Sequence, residues 1–488
     1  MPIGNPYVVP GYHPIGLREP FEFGCGMSGK MARTKYSELL LKANKNTKKA
    51  LDILGEFTRF PTVVPRDKKG LRECADYLQR EFEGHGYKAL QWGGDRPVVY
   101  AEKNVGARKT LMCYHHYDVQ TEGSMELWKS SPWKLVVRDG RAFGRGASDD
   151  KGPCVASFVG LDMLEKIQGK LPVNVKFVVE GEEEWSSETL ARFASRNKKL
   201  MKADGCVWEI LSATPGSITE ISPGMKGDLS IRLTVSGAPT YPKYDAHSGY
   251  GGAIPSAAWR LVRAVNTLKD KDDNITIDGI KKLVRAPTKQ DIDALKKYRG
   301  NIGKEIKDNY GFDRFVGNKT GLDLLKTIYL EPSISINGLE SGCQGDVHST
   351  IVPAKAIAKL DLRLVPDMDS DAVTKLLKEH FKKMGYGDID VFCEGYSAAK
   401  TPLTDPFVRL VHAAAKEVAA PAPTNLLPMM AGTGPAYLFE QHTPFCISSS
   451  FADNDKVYEH GPNENMRISS IVNNMAFVAT VAERLGGL

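Results

Sequence analysis

The sequence has 488 residues, a formal net charge of +6, 42% hydrophobic residues and 25% charged residues. A chain of this length can form two or three domains, and the composition is typical of a globular protein. The small, scattered positive charge argues against a nucleic-acid partner, and the lack of an apolar run of about 18 residues argues against a membrane span.

Eight cysteines are widely spaced and form no Cys-x-x-Cys pair. Several lie in apolar runs, which favours buried free thiols in a reducing compartment. The N-terminus has no basic segment followed by an apolar core, so no secretory signal is predicted. We therefore predict a cytoplasmic protein in which residues 1–30, rich in Gly and Pro, form a loose extension.

The first half of the chain alternates helical and strand patterns, which indicates an α/β sheet with helices on its faces. Apolar residues at helical spacing predict helices over 35–60, 71–82, 155–167 and 190–201. Apolar runs predict strands over 98–102, 111–117, 173–180 and 206–211. Ligands collect at the carboxyl ends of such strands, and three of these ends carry acidic or His residues.

From about residue 226 the pattern changes to that of a compact α+β module. It predicts strands over 228–237, 333–337, 356–364 and 389–393, helices over 254–268 and 370–384, and an exposed helical insertion over 270–330. Helices over 407–419 and 468–485 then resume the first pattern. We predict an α/β catalytic domain with a mixed sheet covered by helices, formed by residues 31–225 and 401–488 and interrupted by a smaller α+β domain, 226–400.

Two imidazoles and three carboxylates lie at predicted strand ends and in loops: His116, Asp149, Glu184, Glu209 and His460. This set suits two Zn-like ions, each with one His and one terminal carboxylate, and with the third carboxylate shared between them. Two such ions can lower the pKa of a water and polarise a carbonyl. A carboxylate next to the ligands must then move the proton, and Glu183 is placed for this role.

Seven motifs carry a family resemblance: HYDVQ, GRGASDDKG, EGEEE, DAHSG, LDLRLVP, AGTGP and HGPNEN. In this order they resemble the motifs of the dinuclear zinc family that includes glutamate carboxypeptidase, acetylornithine deacetylase, aminoacylase and carnosine-type dipeptidases. The resemblance runs from about residue 35 to the C-terminus. It implies two divalent metal ions, with Zn expected and Mn or Co as alternatives.

The resemblance also assigns roles to residues. It implies that Asp149 bridges the two ions and that His116, Glu184, Glu209 and His460 are the other ligands. Glu183 is the implied general acid/base, and Asp118 is the implied carboxylate that orients His116. His115 and Asp150, which lie beside these residues, are predicted to be structural.

In this family a smaller lid domain interrupts the catalytic domain and commonly mediates dimerisation. The resemblance therefore implies a homodimer in which His247 reaches the partner's active site and stabilises the oxyanion. It further implies that Arg363 binds a substrate carboxylate and that Thr433 contacts the substrate. Two plainer interpretations stay open: His247 could cap the helix that begins near Ile254, and Arg363 could be an exposed structural residue.

The leading functional prediction is a metal-dependent amide hydrolase, a dipeptidase or carboxypeptidase that cleaves small peptides with a free C-terminal carboxylate. The long lid resembles the dipeptidase branch, whereas Glu209 resembles the carboxypeptidase and deacylase branches. An N-acyl-amino-acid deacylase is therefore the alternative, and a catalytically inactive metal-binding scaffold is a more remote one. Neither a nucleic acid nor a membrane is predicted as a partner.

Overall fold

The computed structural model describes residues 35–210, 218–237, 239–346, 348–450 and 457–488, so the extension predicted for residues 1–30 lies outside it. The helices are α1 (Lys35–Lys45), α2 (Thr47–Thr58), α3 (Lys68–Gly84), α4 (Lys151–Gln168), α5 (Glu188–Arg196), α6 (Ala257–Val265), α7 (Ile280–Leu283), α8 (Lys289–Lys296), α9 (Ile302–Tyr310), α10 (Gly321–Leu330), α11 (Ser370–Lys383), α12 (Pro406–Ala419), α13 (Tyr437–Glu440) and α14 (Ile468–Gly486).

The strands of the first half are β1 (Lys88–Trp92), β2 (Val98–Lys103), β3 (Thr110–His116), β4 (Val136–Arg138), β5 (Arg141–Phe143), β6 (Asn174–Glu180), β7 (Gly205–Ile210), β8 (Thr219–Ser222), β9 (Gly224–Ser236) and β10 (Ala246–His247). Those of the second half are β11 (Ser333–Ser341), β12 (Ile351–Val352), β13 (Lys355–Leu364), β14 (Asp390–Tyr396), β15 (Ala399–Lys400), β16 (Thr424–Leu426), β17 (Met430–Thr433), β18 (Phe445–Ser450) and β19 (Asn465–Arg467).

The larger sheet has eight strands in the order β1-β2-β6-β3-β7-β18-β8-β16. Its central strands β6, β3, β7 and β18 are parallel, and antiparallel pairs flank them. Successive side chains of a strand point to opposite faces. In β2, accordingly, Val99 and Ala101 pack in one hydrophobic core, and Val98 and Tyr100 pack in another on the opposite face.

Helices cover both faces of this sheet, so its strands are apolar on both sides. Helices α1 to α4, α12 and α14 contribute to the larger core, and α5 and α13 contribute to the smaller one. Helices α4 and α14 approach closely at Gly160, where an added Cβ would lie 2.5 Å from the carbonyl oxygen of Met475. A side chain at position 160 would therefore push the two helices apart.

The inserted α+β domain is built on the antiparallel sheet β11-β13-β9-β14. Helices α6 and α11 pack on one face of it, and their apolar residues form a separate core with alternate residues of β9 and β13. Strand β9 connects the two domains, because Met225 packs in the smaller core of the large sheet and Leu229 packs in the core of the inserted domain. The boundary predicted at 225/226 thus falls inside a continuous strand.

Helices α7 to α10, here called the accessory helices, occupy the segment predicted to be an exposed insertion. They are helical, but they are not simply exposed. Leu295, Ile302 and Tyr329 pack with Leu427 and Met429, which lie between β16 and β17. Apolar residues at helical spacing give these helices a buried side.

The predicted α/β fold with a smaller inserted α+β domain is confirmed. In the described part of the chain, none of the helices combines the length and apolar character that a membrane crossing needs. The described cysteines are free, and five of them are buried: Cys74, Cys113, Cys154, Cys206 and Cys446. Cys25 lies outside the described residues.

Candidate metal centre

Three neighbouring parallel strands, β6, β3 and β7, end at one edge of the large sheet. His116 is the last residue of β3, and Glu209 is the last but one of β7. Strand β6 ends at Glu180, and the turn after it carries Glu183 and Glu184. Because parallel strands place their carboxyl ends together, these predicted site residues meet at one edge.

Asp149 and His460 reach the same edge on loops that short strands hold together. Strand β5 pairs antiparallel with β19, so the loop after β5 and the loop before β19 lie side by side. Asp149 Oδ1 lies 2.9 Å from His116 Nε2, and Asp149 Oδ2 lies 2.9 Å from His460 Nε2. One carboxylate therefore stands between two imidazoles, as a ligand shared by two ions would.

Glu184 completes one side of this arrangement. Its Oε1 atom lies 3.4 Å from His460 Nε2. Asp149, Glu184 and His460 each offer one donor atom, and these atoms all lie within 4.8 Å of one another. Ligands that bind one ion at about 2.0–2.2 Å lie roughly 3 Å apart, so this group fits a divalent cation.

The carboxylates of the cluster carry more negative charge than nearby protein groups neutralise. Burial raises the pKa of Glu184 to about 7, and Asp149 adds to the shift. Burial, followed by the charge of Glu209, raises the pKa of Glu183 well above its usual value. The buried Oε1 atom of Glu209 has no hydrogen-bond partner among the described residues, and that of Glu184 has only the ion pair with His460. Unpaired buried acceptors next to like charges fit a site that binds cations.

Asp149 raises the pKa of both imidazoles, those of His116 and His460. Its hydrogen bond raises the pKa of His460 to about 9. Burial opposes ionisation of Asp149 itself, but hydrogen bonds to His116 and His460 outweigh burial and hold the pKa of Asp149 below its usual range. Asp149 is therefore an anion at neutral pH, which is the form that binds a metal.

Asp118 fixes both the first imidazole and the acidic turn. The His116 ring donates from Nδ1 to the carbonyl oxygen of Asp118 at 3.1 Å, and the Asp118 carboxylate lies 3.5 Å away. That carboxylate accepts the backbone N–H groups of Glu183 at 3.2 Å and Glu184 at 3.0 Å. With Nδ1 used in this way, Nε2 of His116 is left as the ligand atom that faces Asp149.

Glu183 has room beside the ligands because residue 434 is a glycine. A Cβ atom added at Gly434 would lie 3.2 Å from Glu183 Oε1 and 3.0 Å from the sulfur of Met225. The AGTGP turn thus packs directly against the predicted general acid/base. A larger residue at position 434 would displace the Glu183 carboxylate.

Two of the predicted ligands have a strained backbone. Glu209 has φ +32° and His460 has φ +60°, in a region that residues with a Cβ rarely adopt. Such strain persists only where the surrounding structure imposes it, and it concentrates at functional sites. The strain at both residues agrees with a functional role for them.

The structure does not bring every predicted residue to this cluster. His247 is exposed, and its Nδ1 atom accepts the backbone N–H of Gly249, so it caps a short 3-10 turn. Ser256, not His247, caps the helix that begins at residue 257. In the described part of the chain, no hydrogen bond or ion pair joins His247 to the five predicted ligands.

Arg363 and Thr433 lie on the two sides of the junction between the domains. Arg363 is half-buried on β13, on the face of the inserted domain's sheet that lies opposite α6 and α11. It donates to Asp361 at 2.9 Å. Thr433 is in register with Lys226 of β9, and its Oγ1 atom is buried without a partner among the described residues. Among the described residues, no hydrogen bond or ion pair joins either of them to a predicted ligand.

Sequence reasoning overlooked several residues that hold the ligands. Gln120 donates to Glu184 Oε2 at 2.8 Å. Glu464 accepts the backbone N–H of Asp149 at 3.1 Å and pairs with Arg145 at 2.7 Å. Glu464 and Arg145 belong to the HGPNEN and GRGASDDKG motifs. Their place in these motifs is the sequence feature that could have identified them as site residues.

His115, Asp150 and Ser157 form a buried network behind the ligands. His115 Nδ1 lies 2.7 Å from Asp150 and Nε2 lies 2.9 Å from Ser157. All three side chains are inaccessible to solvent, so this Ser-His-Asp arrangement cannot meet a substrate. Asp150 also accepts the backbone N–H of His116 at 3.1 Å, which is the structural role predicted for this pair.

Comparison with known proteins places this geometry in context. The family model described as "Peptidase family M20/M25/M40" matches residues 112–484. The Cys-Gly metallodipeptidase dug1 of Schizosaccharomyces pombe is 32% identical over 331 residues, which cover 64% of this chain and 68% of that protein. The human Beta-Ala-His dipeptidase is 29% identical over 310 residues, which cover 62% and 58% of the two chains.

Solved structures agree with the sequence matches. The M20 family metallo-carboxypeptidase Sso-CP2 from Sulfolobus solfataricus has a TM-score of 0.82 and 30% identity, and the match covers 90% of this chain and all (100%) of that chain. Human carnosine dipeptidase 1 has a TM-score of 0.72 and 23% identity, with 93% of this chain and 100% of that chain covered. At that identity, the second match concerns the fold alone.

Proposed function

We infer that this chain, a metallopeptidase that belongs to peptidase family M20/M25/M40, cleaves small peptides as a dipeptidase or carboxypeptidase. The family resemblance predicted from the seven motifs is confirmed. One observation supports the proposed activity most directly: Asp149 lies 2.9 Å from both His116 and His460, and the charges of His116 and Asp149 act on Glu183. This is the geometry that a shared metal ligand beside a general acid/base requires.

In the proposed site, the five predicted ligands would hold two divalent ions, with Asp149 as the ligand that both would share. We propose Zn, with Mn and Co as alternatives, because mixed imidazole and carboxylate ligands suit these ions. Bound ions would polarise the substrate carbonyl and lower the pKa of a water. Glu183 would take the proton of that attacking water and pass it to the leaving amine nitrogen. Asp118 would hold Glu183 in place through its backbone N–H.

The substrate proposed for this site ends in a free carboxylate. Arg363 presents a guanidinium on the side of the inserted domain that its helices leave open. A guanidinium fork suits a carboxylate, and the contact with Asp361 would have to yield or be shared. The unpaired Oγ1 of Thr433 supports a hydrogen bond to the substrate from the AGTGP turn.

We further propose a homodimer that forms through the inserted domain and operates in the cytoplasm. His247 is exposed, and among the described residues no hydrogen bond joins it to the predicted ligands of its own chain. This supports a role in the partner's site. There it would stabilise the oxyanion. The buried free cysteines support a reducing compartment.

Amino-acid release from a panel of dipeptides and N-acyl amino acids tests this proposal. The protein is stripped with a chelator and then assayed with added Zn, Mn or Co. We expect metal-restored cleavage of dipeptides, with the acylated amino acids left intact. Cleavage confined to acylated amino acids would instead assign the protein to the deacylases.

Substitution of the proton-transfer group is the second part of the test. Glu183→Gln keeps the size of the side chain but cannot take a proton, so we expect kcat to fall by at least about 10²-fold. Glu73→Gln, on the exposed side of α3, is the matched control and should leave kcat unchanged. If metal-loaded protein cleaves nothing in the panel, or if Glu183→Gln retains full turnover, the proposed mechanism is wrong.

A further inference from the structure

Glu464 is a fully buried carboxylate that lies four residues after His460. Its two oxygens accept hydrogen bonds from Gly146 N at 2.9 Å, Ser148 N at 2.9 Å, Ser148 Oγ at 3.0 Å, Asp149 N at 3.1 Å and Arg145 Nη1 at 2.7 Å. All five donors belong to the loop between β5 and α4, which carries the shared ligand Asp149. One side chain therefore organises that whole loop.

Arg145 extends this contact back to the loop of His460. Its second terminal nitrogen donates to the carbonyl oxygen of His460 at 3.3 Å and to that of Thr121 at 2.7 Å. The backbone adds a further connection, because Gly144 N donates to the carbonyl oxygen of Glu464 at 3.0 Å. Two loops that are more than 300 residues apart in sequence are thus joined next to their ligands.

We propose that Glu464, with Arg145, is a positioning residue that sets the separation of Asp149 and His460 before metal binds. This inference rests on the proposed metal centre. A pair of ligands already held at the right spacing does not have to be ordered by the ion when it binds. Mutation of groups that orient metal ligands typically lowers metal affinity by about 10–100-fold. A purely structural ion pair would not need four additional donors on the ligand-bearing loop.

The chemistry of the site makes Glu464→Gln a sharp test. The partners of Glu464 are donors, and a carboxylate accepts all of them with two oxygens. A glutamine amide has one oxygen and an NH2 group. Its NH2 group must therefore face backbone N–H donors, from which it cannot accept a hydrogen bond. Because the side-chain volume is almost unchanged, the fold should be kept. The mismatched hydrogen bonds should change the spacing of the two loops.

The measurement is the affinity of metal-free protein for Zn²⁺, obtained by competition with a chromophoric chelator, together with the visible absorption of the Co²⁺-loaded protein. We expect Glu464→Gln to bind at least one of the two ions about 10–100-fold more weakly, with an altered Co²⁺ spectrum. Asp291→Asn is the matched control. It removes the charge of another buried carboxylate, which lies in α8 and pairs with Lys400 of β15 at 2.6 Å, and it should leave both readouts unchanged.

The outcomes separate this inference from the proposed function. If the parent protein binds no Zn²⁺, the metal centre itself is wrong. If the parent binds two ions and Glu464→Gln binds them equally tightly, or if Asp291→Asn weakens binding as much, the positioning role is wrong. Should Glu464→Gln fail to fold, Ser148→Ala removes a single donor to Glu464, and a severalfold weakening of Zn²⁺ binding is expected from it.

Discussion

At the scale of single residues, the orientation of Glu183 depends on a buried carboxylate, that of Asp118. Asp118 accepts the N–H groups of Glu183 and Glu184 with different oxygens, and its carbonyl oxygen accepts from the His116 ring. Asp118 is fully buried, so water does not compete for these hydrogen bonds. Both the proposed general acid/base and two proposed metal ligands therefore depend on it for their orientation.

We predict that Asp118→Asn lowers kcat by about 10–100-fold and changes KM little. The asparagine side chain can accept one of the two backbone N–H groups but must present its NH2 group to the other, so the acidic turn shifts. Steady-state kinetics with dipeptides, together with the metal content of the purified protein, checks the prediction. Asp52→Asn, on the exposed side of α2, is the control, and an unchanged kcat for Asp118→Asn would contradict the argument.

Residues at strand ends could be predicted from the sequence because the rule that places them is local. An apolar run followed by His or Glu identifies the carboxyl end of a buried strand, which is how His116, Glu184 and Glu209 were found. The approach of Asp149 to His460 depends on β5 and β19, which have three residues each. Strands that short carry almost no periodic signal, and a buried Glu such as Glu464 resembles a surface Glu until its five donors are known.

At the scale of elements, the accessory helices contact the catalytic domain through a buried polar group as well as through apolar packing. Asn425 accepts the backbone N–H of Arg299 at 2.7 Å and donates to its carbonyl oxygen at 2.7 Å. The same amide donates to Glu220 Oε1 at 3.2 Å. Burial raises the pKa of Glu220 to about 8, so this carboxyl group is protonated in the folded protein at neutral pH.

The raised pKa of Glu220 makes stability depend on pH in a defined direction. Between its unfolded pKa near 4.5 and its folded pKa of about 8, the folded state binds the extra proton, so the free energy of unfolding falls as pH rises. Glu220→Gln cannot ionise and resembles the protonated acid. We predict that its stability relative to the parent rises from pH 5 to pH 8, by roughly 3 kcal/mol.

Denaturant unfolding of both proteins at several pH values measures this difference. The comparison of variant with parent cancels the contribution of groups that titrate equally in the two proteins. Glu73→Gln, on the exposed side of α3, is a control, and we expect no such pH-dependent difference from it. A Glu220→Gln difference that does not vary with pH would show that Glu220 is ionised in the folded protein.

The accessory helices also show where sequence patterns were insufficient at this scale. The helical period of the segment was visible, and the segment is helical. Its many Lys and Asp residues indicated exposure, but a small number of apolar residues was enough to bury one side of α8, α9 and α10 against Leu427 and Met429. Which surface receives such a face depends on the path of the whole chain, so local periodicity could not identify it.

At the scale of the whole molecule, the inserted domain presents an edge and a helix suited to a second copy of the chain. Strand β11 is at the edge of its sheet, and Ile336 and Leu339 on it are 53% and 54% exposed. Trp259 on α6 is 64% exposed. Apolar side chains on an edge strand are a common site of association, and a symmetric dimer pairs like surfaces.

If His247 acts in the partner's active site, two inactive variants should restore each other's activity. His247→Ala and Glu183→Gln should each have low turnover alone, because every site in either homodimer lacks one group. In a mixed dimer, the site that keeps Glu183 receives His247 from the other subunit and is complete. Random exchange of equal amounts should therefore recover about a quarter of the parent activity, since about half of the dimers are mixed and one of their two sites is complete.

The exchange is followed with two affinity tags, so that formation of mixed dimers is measured separately from turnover. Activity that rises in proportion to the mixed dimer would establish that His247 acts between subunits. Mixed dimers without recovered turnover, or a His247→Ala protein as active as the parent, would show that the oxyanion is stabilised by a group of the same chain. A fully active monomer would contradict the proposed dimer itself, because no hydrogen bond or ion pair among the described residues joins the exposed His247 to the proposed metal ligands of its own chain.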